Sequence, residues 1–260
     1  IGFGVWVHHM FATGIPTIAL SFISLASFMI TIPSGTQVFA WLATLVAGRP
    51  KLTTAMLFSI GFIVLLVIGG LSGVMFASVP FDQQTTDTYF VVAHFHYIMV
   101  GGAVMGYLGG IHFWWPKMTG RTYPEIWARL AALLIFVGFN LTFFPQFVLG
   151  YVGMPRRYHV YPPEFQVLNV MSTAGASILA VGYVLPLVYL IWSLRYGAVA
   201  GARADQQNVT LDGSIETKWI ARVSPGSAPS TKNGPVWGLT KGNSTTRETR
   251  SSGPLTRPPK

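Results

Sequence analysis

Apolar residues run through this chain in five long blocks that are almost free of charge, at roughly 15–46, 52–78, 88–115, 126–150 and 168–194. About 20 helical residues cover the ~30 Å hydrocarbon core of a bilayer, so each block predicts a membrane-spanning helix. Short connectors carry the turn formers and most of the charges: AGRPK (47–51), SVPFDQQTTD (78–87), PKMTGRTYPE (116–125) and MPRRYHVYPPE (154–164). The expected fold class is all-α, a polytopic transmembrane helix bundle. After Arg195 the composition turns to Gly, Ser, Thr, Pro and Asn, with Lys and Arg outnumbering Asp and Glu. Such a segment has too little apolar area to order a core. A boundary is therefore expected near 197, with 1–197 the transmembrane region and 198–260 a disordered basic tail. Without a folded basic face, that tail suits anionic lipid better than nucleic acid, so no nucleic-acid partner is expected.

Composition agrees with a bilayer environment. Only 10% of the 260 residues are charged and 51% are hydrophobic, and the mean hydropathy is +0.50. No cysteine is present, which excludes disulfides and thiolate metal sites and leaves histidine and carboxylate as the strong metal ligands. The chain opens on Ile1 with no basic leader and cleavage site, and it reads as a piece of a longer protein.

Loop charge sets the orientation. Arg49 and Lys51 follow the first block, Lys117, Arg121 and Arg129 flank the connector after the third, and the tail follows the fifth. All three lie on one side, which the positive-inside rule makes cytoplasmic, or matrix in a mitochondrion. Residues 1–14, the connector with Asp82 and Asp87, and the connector with Arg156 and Arg157 lie on the other. Two adjacent arginines there run against the bias and ask for anionic partners.

The stretch DTYFVVAHFHY (87–97) enters the membrane from that outer side. At 1.5 Å per residue, His94 and His96 fall about 9 to 14 Å deep, where an ionisable group is a functional candidate by default. Residues two apart on a helix differ by about 200°, so the rings face opposite ways and cannot chelate one ion. They can serve two centres on either side of one helix, with Phe95 between them, and haem iron takes such a neutral axial histidine. The second pair, His8 and His9 in VWVHHMFATG, is read as lying in a non-helical connector, where adjacent rings can turn to one ion such as copper, iron or zinc. Two crossings separate the pairs, which puts both on the outer side. A haem at that depth presents carboxylates near the interface, and Arg156 and Arg157 can bind them; ion pairs to Asp82, Asp87 or Glu164 are the plainer alternative. His112 and His159 read as structural.

The strings VWVHHMFATG, PSGTQVFAWLATL, DTYFVVAHFHY, WPKMTGR and GMPRRY together resemble the C-terminal half of subunit I of the haem-copper oxidases, over about residues 1–197. The resemblance implies the last five of twelve helices, two haems and copper. It implies that His8 and His9 are two of three copper ligands, His94 the proximal ligand of the high-spin haem and His96 an axial ligand of the low-spin haem. Phe95 would lie between the cofactors, Asp82, Arg156 and Arg157 in the propionate region, and Asp87 near an outer magnesium or water site. The family's histidine before Asp87 is here Thr86, a poorer ligand. Its proton-path Thr and Lys are Ser34 and Gln37, and an amide cannot carry that charge. The implied activity is reduction of dioxygen to water coupled to proton translocation, with subunits II and III as partners and cytochrome c or quinol as donor. A fragment lacking the remaining ligands is expected to be inactive by itself. The polar tail favours a bacterial plasma membrane over a mitochondrial inner membrane. Three other readings are a nitric oxide reductase-like relative with non-haem iron, a diheme electron-transfer protein, and a proton-relaying transporter.

Overall fold

The computed structural model describes residues 2–200, which are helical and contain no strand. Most of the expected tail lies outside the described residues; only residues 198–200 of it are seen, held to the inner connector where Thr122 N–H donates to the Ala198 carbonyl and Ala200 N–H to that of Gly120. Five helical stretches are long and apolar enough to cross a membrane: Thr17–Ala47, Thr54–Ala77, Tyr89–Thr119, Glu125–Tyr151 and Pro163–Tyr196. They match the five apolar blocks.

Two of the five are not continuous α-helices. The first divides at Ile30 into α1 (Thr17–Met29) and α2 (Thr31–Ala47). Pro33 has no N–H to return to the preceding turn, and the junction tightens so that Ile30 N–H donates to the Ser27 carbonyl at 3.2 Å. The third comprises α5 (Tyr89–Ile98), a π-helical turn over Met99–Val104 and α6 (Met105–Thr119). α3 spans Thr54–Ala77, with Thr53 capping it by accepting from Met56 N–H. A short α4 (Val79–Thr85) occupies the outer connector, an element the composition did not announce. α7 (Glu125–Tyr151) and α8 (Gln166–Tyr196) complete the bundle.

The core runs where α3, α5, α6, α7 and α8 meet. Phe58, Leu65, Tyr97, Met105, Ile135 and Phe139 are buried in one cluster. α7 and α8 approach closely, because glycines stand where side chains would collide. A Cβ on Gly138 would lie 2.5 Å from the Leu179 nitrogen, and one on Gly175 would lie 2.5 Å from that of Thr142. Small residues allow this backbone approach in lipid, where packing rather than water exclusion drives association. Several polar side chains inside the bundle are paired: Tyr97 O–H donates to Asn140 Oδ1 at 2.9 Å, Trp115 Nε1–H to Ser193 Oγ at 2.8 Å. At the inner end, Thr54 N–H donates to Glu125 Oε1 at 2.8 Å and ties the start of α3 to that of α7.

Candidate functional site

His94 stands on the face of α5 turned to α3. Its Nδ1 lies 2.9 Å from Ser72 Oγ and 3.1 Å from the Gly69 carbonyl oxygen. Ser72 O–H is already committed to the same Gly69 carbonyl at 2.7 Å, so the serine oxygen can only accept. Nδ1 must therefore carry the ring proton, leaving the Nε2 lone pair free. His96 faces away. Its Nδ1 donates to the Val92 carbonyl at 2.8 Å, and the ring stacks on Phe143 of α7 with centroids 4.1 Å apart. This too frees Nε2, on the opposite side of the helix. The 200° expected from helix geometry is what separates the two rings, with the ring of Phe95, on the exposed side of α5, 4.4 Å from that of His96.

His8 and His9 lie not in an irregular connector but on a 3-10 helix over Gly2–Met10. Its tighter turn sets adjacent residues about 120° apart, yet the side chains swing together. His8 Nε2 and His9 Nε2 are 3.2 Å apart. Ser27 fixes the tautomer of His8 by the same device as Ser72: its O–H donates to the Ile23 carbonyl at 2.7 Å, and its oxygen accepts from His8 Nδ1–H at 3.1 Å. Burial, and then the neighbouring His9, lower the pKa of His8, which holds the ring neutral near pH 7.

These pieces converge on one cavity of about 790 Å³. His8 and His9 line it, as do His94, Ser34, Gln37, Asp82, Thr86 and Arg156. His96 and Phe95 do not. Gly69, Gly70 and Gly73 of α3 form part of the wall; a Cβ on Gly73 would sit 3.1 Å from His94 Cε1, while one on Gly70 would meet nothing within 4 Å. The glycines keep the space in front of the ring open. With Nδ1 protonated on His8 and His94, their Nε2 lone pairs are donors at a large cavity, a set that suits copper and haem iron. Among the described residues no group of three metal-ligating side chains comes together. The double histidine by itself could supply only part of a coordination shell.

The charged groups gather at the outer rim. Arg156 donates through Nε and Nη2 to Asp87 Oδ1 at 2.9 and 2.6 Å, and Arg157 Nη1 is 3.9 Å from the same oxygen. The backbone joins in, with Arg156 N–H donating to the Asp87 carbonyl at 2.9 Å. Asp87 and Arg157 both adopt positive φ, 57° and 64°, a conformation uncommon outside glycine and held here by the pairing. The Arg156 guanidinium keeps the Asp87 carboxyl well below the usual carboxylate range. Asp82 takes no part in an ion pair among the described residues. It is 8% exposed, and burial raises its pKa to about 6. Thus, of the anionic partners weighed for the paired arginines, the structure supplies Asp87. His112 is buried between the Leu108 carbonyl and the Tyr189 hydroxyl, and His159 is exposed.

Sequence reasoning missed Ser27, Ser72, the Gly69 carbonyl and Phe143, the groups that aim the rings. Only the glycine-rich run GGLSG (69–73) could have signalled a close approach.

A family model described as Cytochrome C and Quinol oxidase polypeptide I matches residues 1–178. Cytochrome c oxidase subunit 1 of Bacillus subtilis (strain 168) is 45% identical over 219 residues, 84% of this chain and 35% of that protein. The subunit 1 proteins of Synechocystis sp. and Cereibacter sphaeroides are 46% and 43% identical, over 82% and 86% of this chain and 38% and 39% of theirs. The chain thus spans little more than a third of the length of these relatives. A chain of a heme-copper terminal oxidase dimer solved by cryo-EM superposes with a TM-score of 0.65 at 22% identity, covering 74% of this chain and 40% of that one. That last likeness is one of fold.

Proposed function

The chain belongs to the Cytochrome C and Quinol oxidase polypeptide I family, and from that premise we propose that it forms part of the catalytic subunit of a terminal respiratory oxidase. The observation that carries the reading is that His8, His9 and His94, from two remote parts of the chain, face one cavity while His96 faces the other side of α5. In this reading His8 and His9 hold copper, His94 a high-spin haem iron and His96 a low-spin haem iron. The further ligands come from the rest of the subunit. When bound, these groups supply the binding and four-electron reduction of dioxygen to water.

The chain's own residues position and insulate. Ser72 and the Gly69 carbonyl hold His94 with its donor nitrogen towards the cavity, and Ser27 does the same for His8. Such outer partners raise ligand basicity and fix ring orientation. Phe95 and Phe143 keep an apolar layer beside His96. Arg156 and Arg157, already gathered at the rim on Asp87, would share their guanidinium donors with haem carboxylates, with Asp82 beneath them. Asp87 with Thr86 would form at most a weak outer magnesium site, since one carboxylate and one hydroxyl are few ligands for that ion. Ser34 and Gln37 face the cavity from α2 and would pass protons from the inner side by hydrogen bonding alone, because an amide holds no titratable proton. Subunits II and III, cytochrome c or quinol, and a bacterial plasma membrane complete the proposal, the last in keeping with the bacterial relatives.

Metal analysis and visible spectroscopy of the complete protein test this reading. We expect two haems and one copper. His8→Ala should lose copper and keep both haems, His94→Ala should lose the high-spin spectrum, and His96→Ala the low-spin one. Iron in place of copper, a colourless protein, or one spectrum lost in both haem variants would overturn it. Gln37→Lys should speed haem reduction; an unchanged rate would remove Gln37 from the proton path.

A further inference from the structure

A second hollow lies in the inner half of the bundle, apart from the histidine cavity. It measures about 300 Å³ and opens between the end of α2, the start of α3 and the second half of α6. Its walls are largely apolar, with Leu45, Met56, Phe113 and Trp114 facing it. Arg49 and Lys51 line its mouth. Both are exposed, and neither forms an ion pair among the described residues. The hollow exists because α2 buries no residue against its neighbours and because α6 presents Gly109 and Gly110 there.

Position and chemistry together narrow the occupant. The mouth is on the inner side by loop charge, with Lys117, Arg121 and Arg129. Basic pockets between transmembrane helices on that side recognise lipid headgroups. A free anion would have no use for the apolar walls, and a helix about 10 Å across does not fit so small a space. An acyl chain does. Trp114, 54% exposed, stands where interfacial aromatics sit at the headgroup level.

We propose that this hollow binds one anionic phospholipid of the inner leaflet, its phosphate on Arg49 and Lys51 and part of one acyl chain against Met56, Phe113 and Trp114. The complete protein, purified and reconstituted, allows a direct test by fluorescence quenching with brominated-chain phosphatidylglycerol or phosphatidylcholine. The Trp114 contribution is isolated by subtracting the Trp114→Phe variant. Half-maximal quenching should need a roughly tenfold lower mole fraction of the anionic lipid. Arg49→Ala with Lys51→Ala should remove that preference, while Lys51→Arg retains it. Ser59→Leu, which adds volume to the wall away from the reporter, should reduce quenching by both lipids. Equal quenching by the two lipids, a preference that survives the double alanine change, or displacement by millimolar inorganic phosphate would overturn the proposal.

Discussion

The α7–α8 seam and the α1–α2 arm are built from comparably apolar sequence and pack in opposite ways. In the seam, glycines let backbones touch, and a chain of hydrogen bonds crosses it: Gln146 Nε2 donates to Ser172 Oγ at 3.1 Å, and Ser172 O–H to the Thr142 carbonyl at 2.7 Å. Along the arm, α1 buries only Ser27 and α2 buries nothing. The candidate metal cavity lies between these regimes. One wall, α3 and α5 with His94, belongs to the packed side, and the opposite wall carries the double histidine and the arm. Close packing holds the ring of His94 still, whereas a poorly filled interface leaves room for a large planar group. Apolarity alone does not distinguish the two, because lipid is as apolar as either.

The sharpest way to break the contrast is to overfill the seam. Gly138→Leu drives a side chain into the Leu179 backbone, 2.5 Å from where its Cβ would start, and should destabilise the fold by about 3 kcal/mol or more. Phe39→Ala on α2, at a side chain 72% exposed, should cost under about 1 kcal/mol. Thermal unfolding midpoints of the two variants check this, and similar losses would erase the distinction.

On the cavity side, Gly70→Leu meets open space rather than protein. It should leave the unfolding midpoint of the haem-free protein nearly unchanged and lower high-spin haem occupancy at least about tenfold, since a side chain there competes for the same volume. An intact high-spin spectrum in this variant would show that the cavity is not where the haem goes.

Asp82 sharpens the comparison through pH. Its folded pKa, raised by burial to about 6 from 3.8, means that the fold favours the protonated acid. The associated stability is complete below pH 4 and is lost as pH rises through 6, where a buried carboxylate forms. Asp82→Asn should therefore raise the stability of the haem-free protein at pH 8 by about 2 to 3 kcal/mol relative to its effect at pH 4. A midpoint difference independent of pH would refute the assignment. Asp87 has the opposite sign: Arg156 depresses its pKa, so the outer loop should loosen only as pH falls below the usual carboxylate range, read as faster amide exchange at residues 87–89.

At the ring of His94 the expected effect of Ser72→Ala is small. The Gly69 carbonyl still accepts from His94 Nδ1–H, so losing one hydrogen bond should cost about 1 kcal/mol and speed high-spin haem dissociation several-fold. Ser72→Thr should restore it. A rate unchanged by the alanine variant would mean that the carbonyl alone orients the ring.

Much of this architecture could be read from the residues in order. The five spans follow from unbroken apolar length, their expected inner ends from Arg49, Lys51, Lys117 and Arg121, and the opposed faces of His94 and His96 from a rotation of 100° per residue. Each is a local property of the backbone or of transfer into lipid. The break at Ile30, α4 and the π-turn over Met99–Val104 were not expected from the apolar pattern, although Pro33 offers a local cause for the first. The donor nitrogens that Ser27 and Ser72 aim also escaped notice, since no periodicity marks a serine that will accept from a ring 19 or 22 residues away.

What only the tertiary structure decided is convergence. The sequence by itself placed both histidine pairs at one end of the spans, since two crossings separate them. That His8 and His9 meet across 3.2 Å, and that they share a cavity with His94 rather than with His96, depends on how α1, α3 and α5 pack and on the 3-10 turn that carries the pair. Depth in a bilayer is fixed by hydrophobicity, which acts residue by residue. Distance between side chains remote in the chain is fixed by helix contacts and bond rotations, which the order of residues does not display.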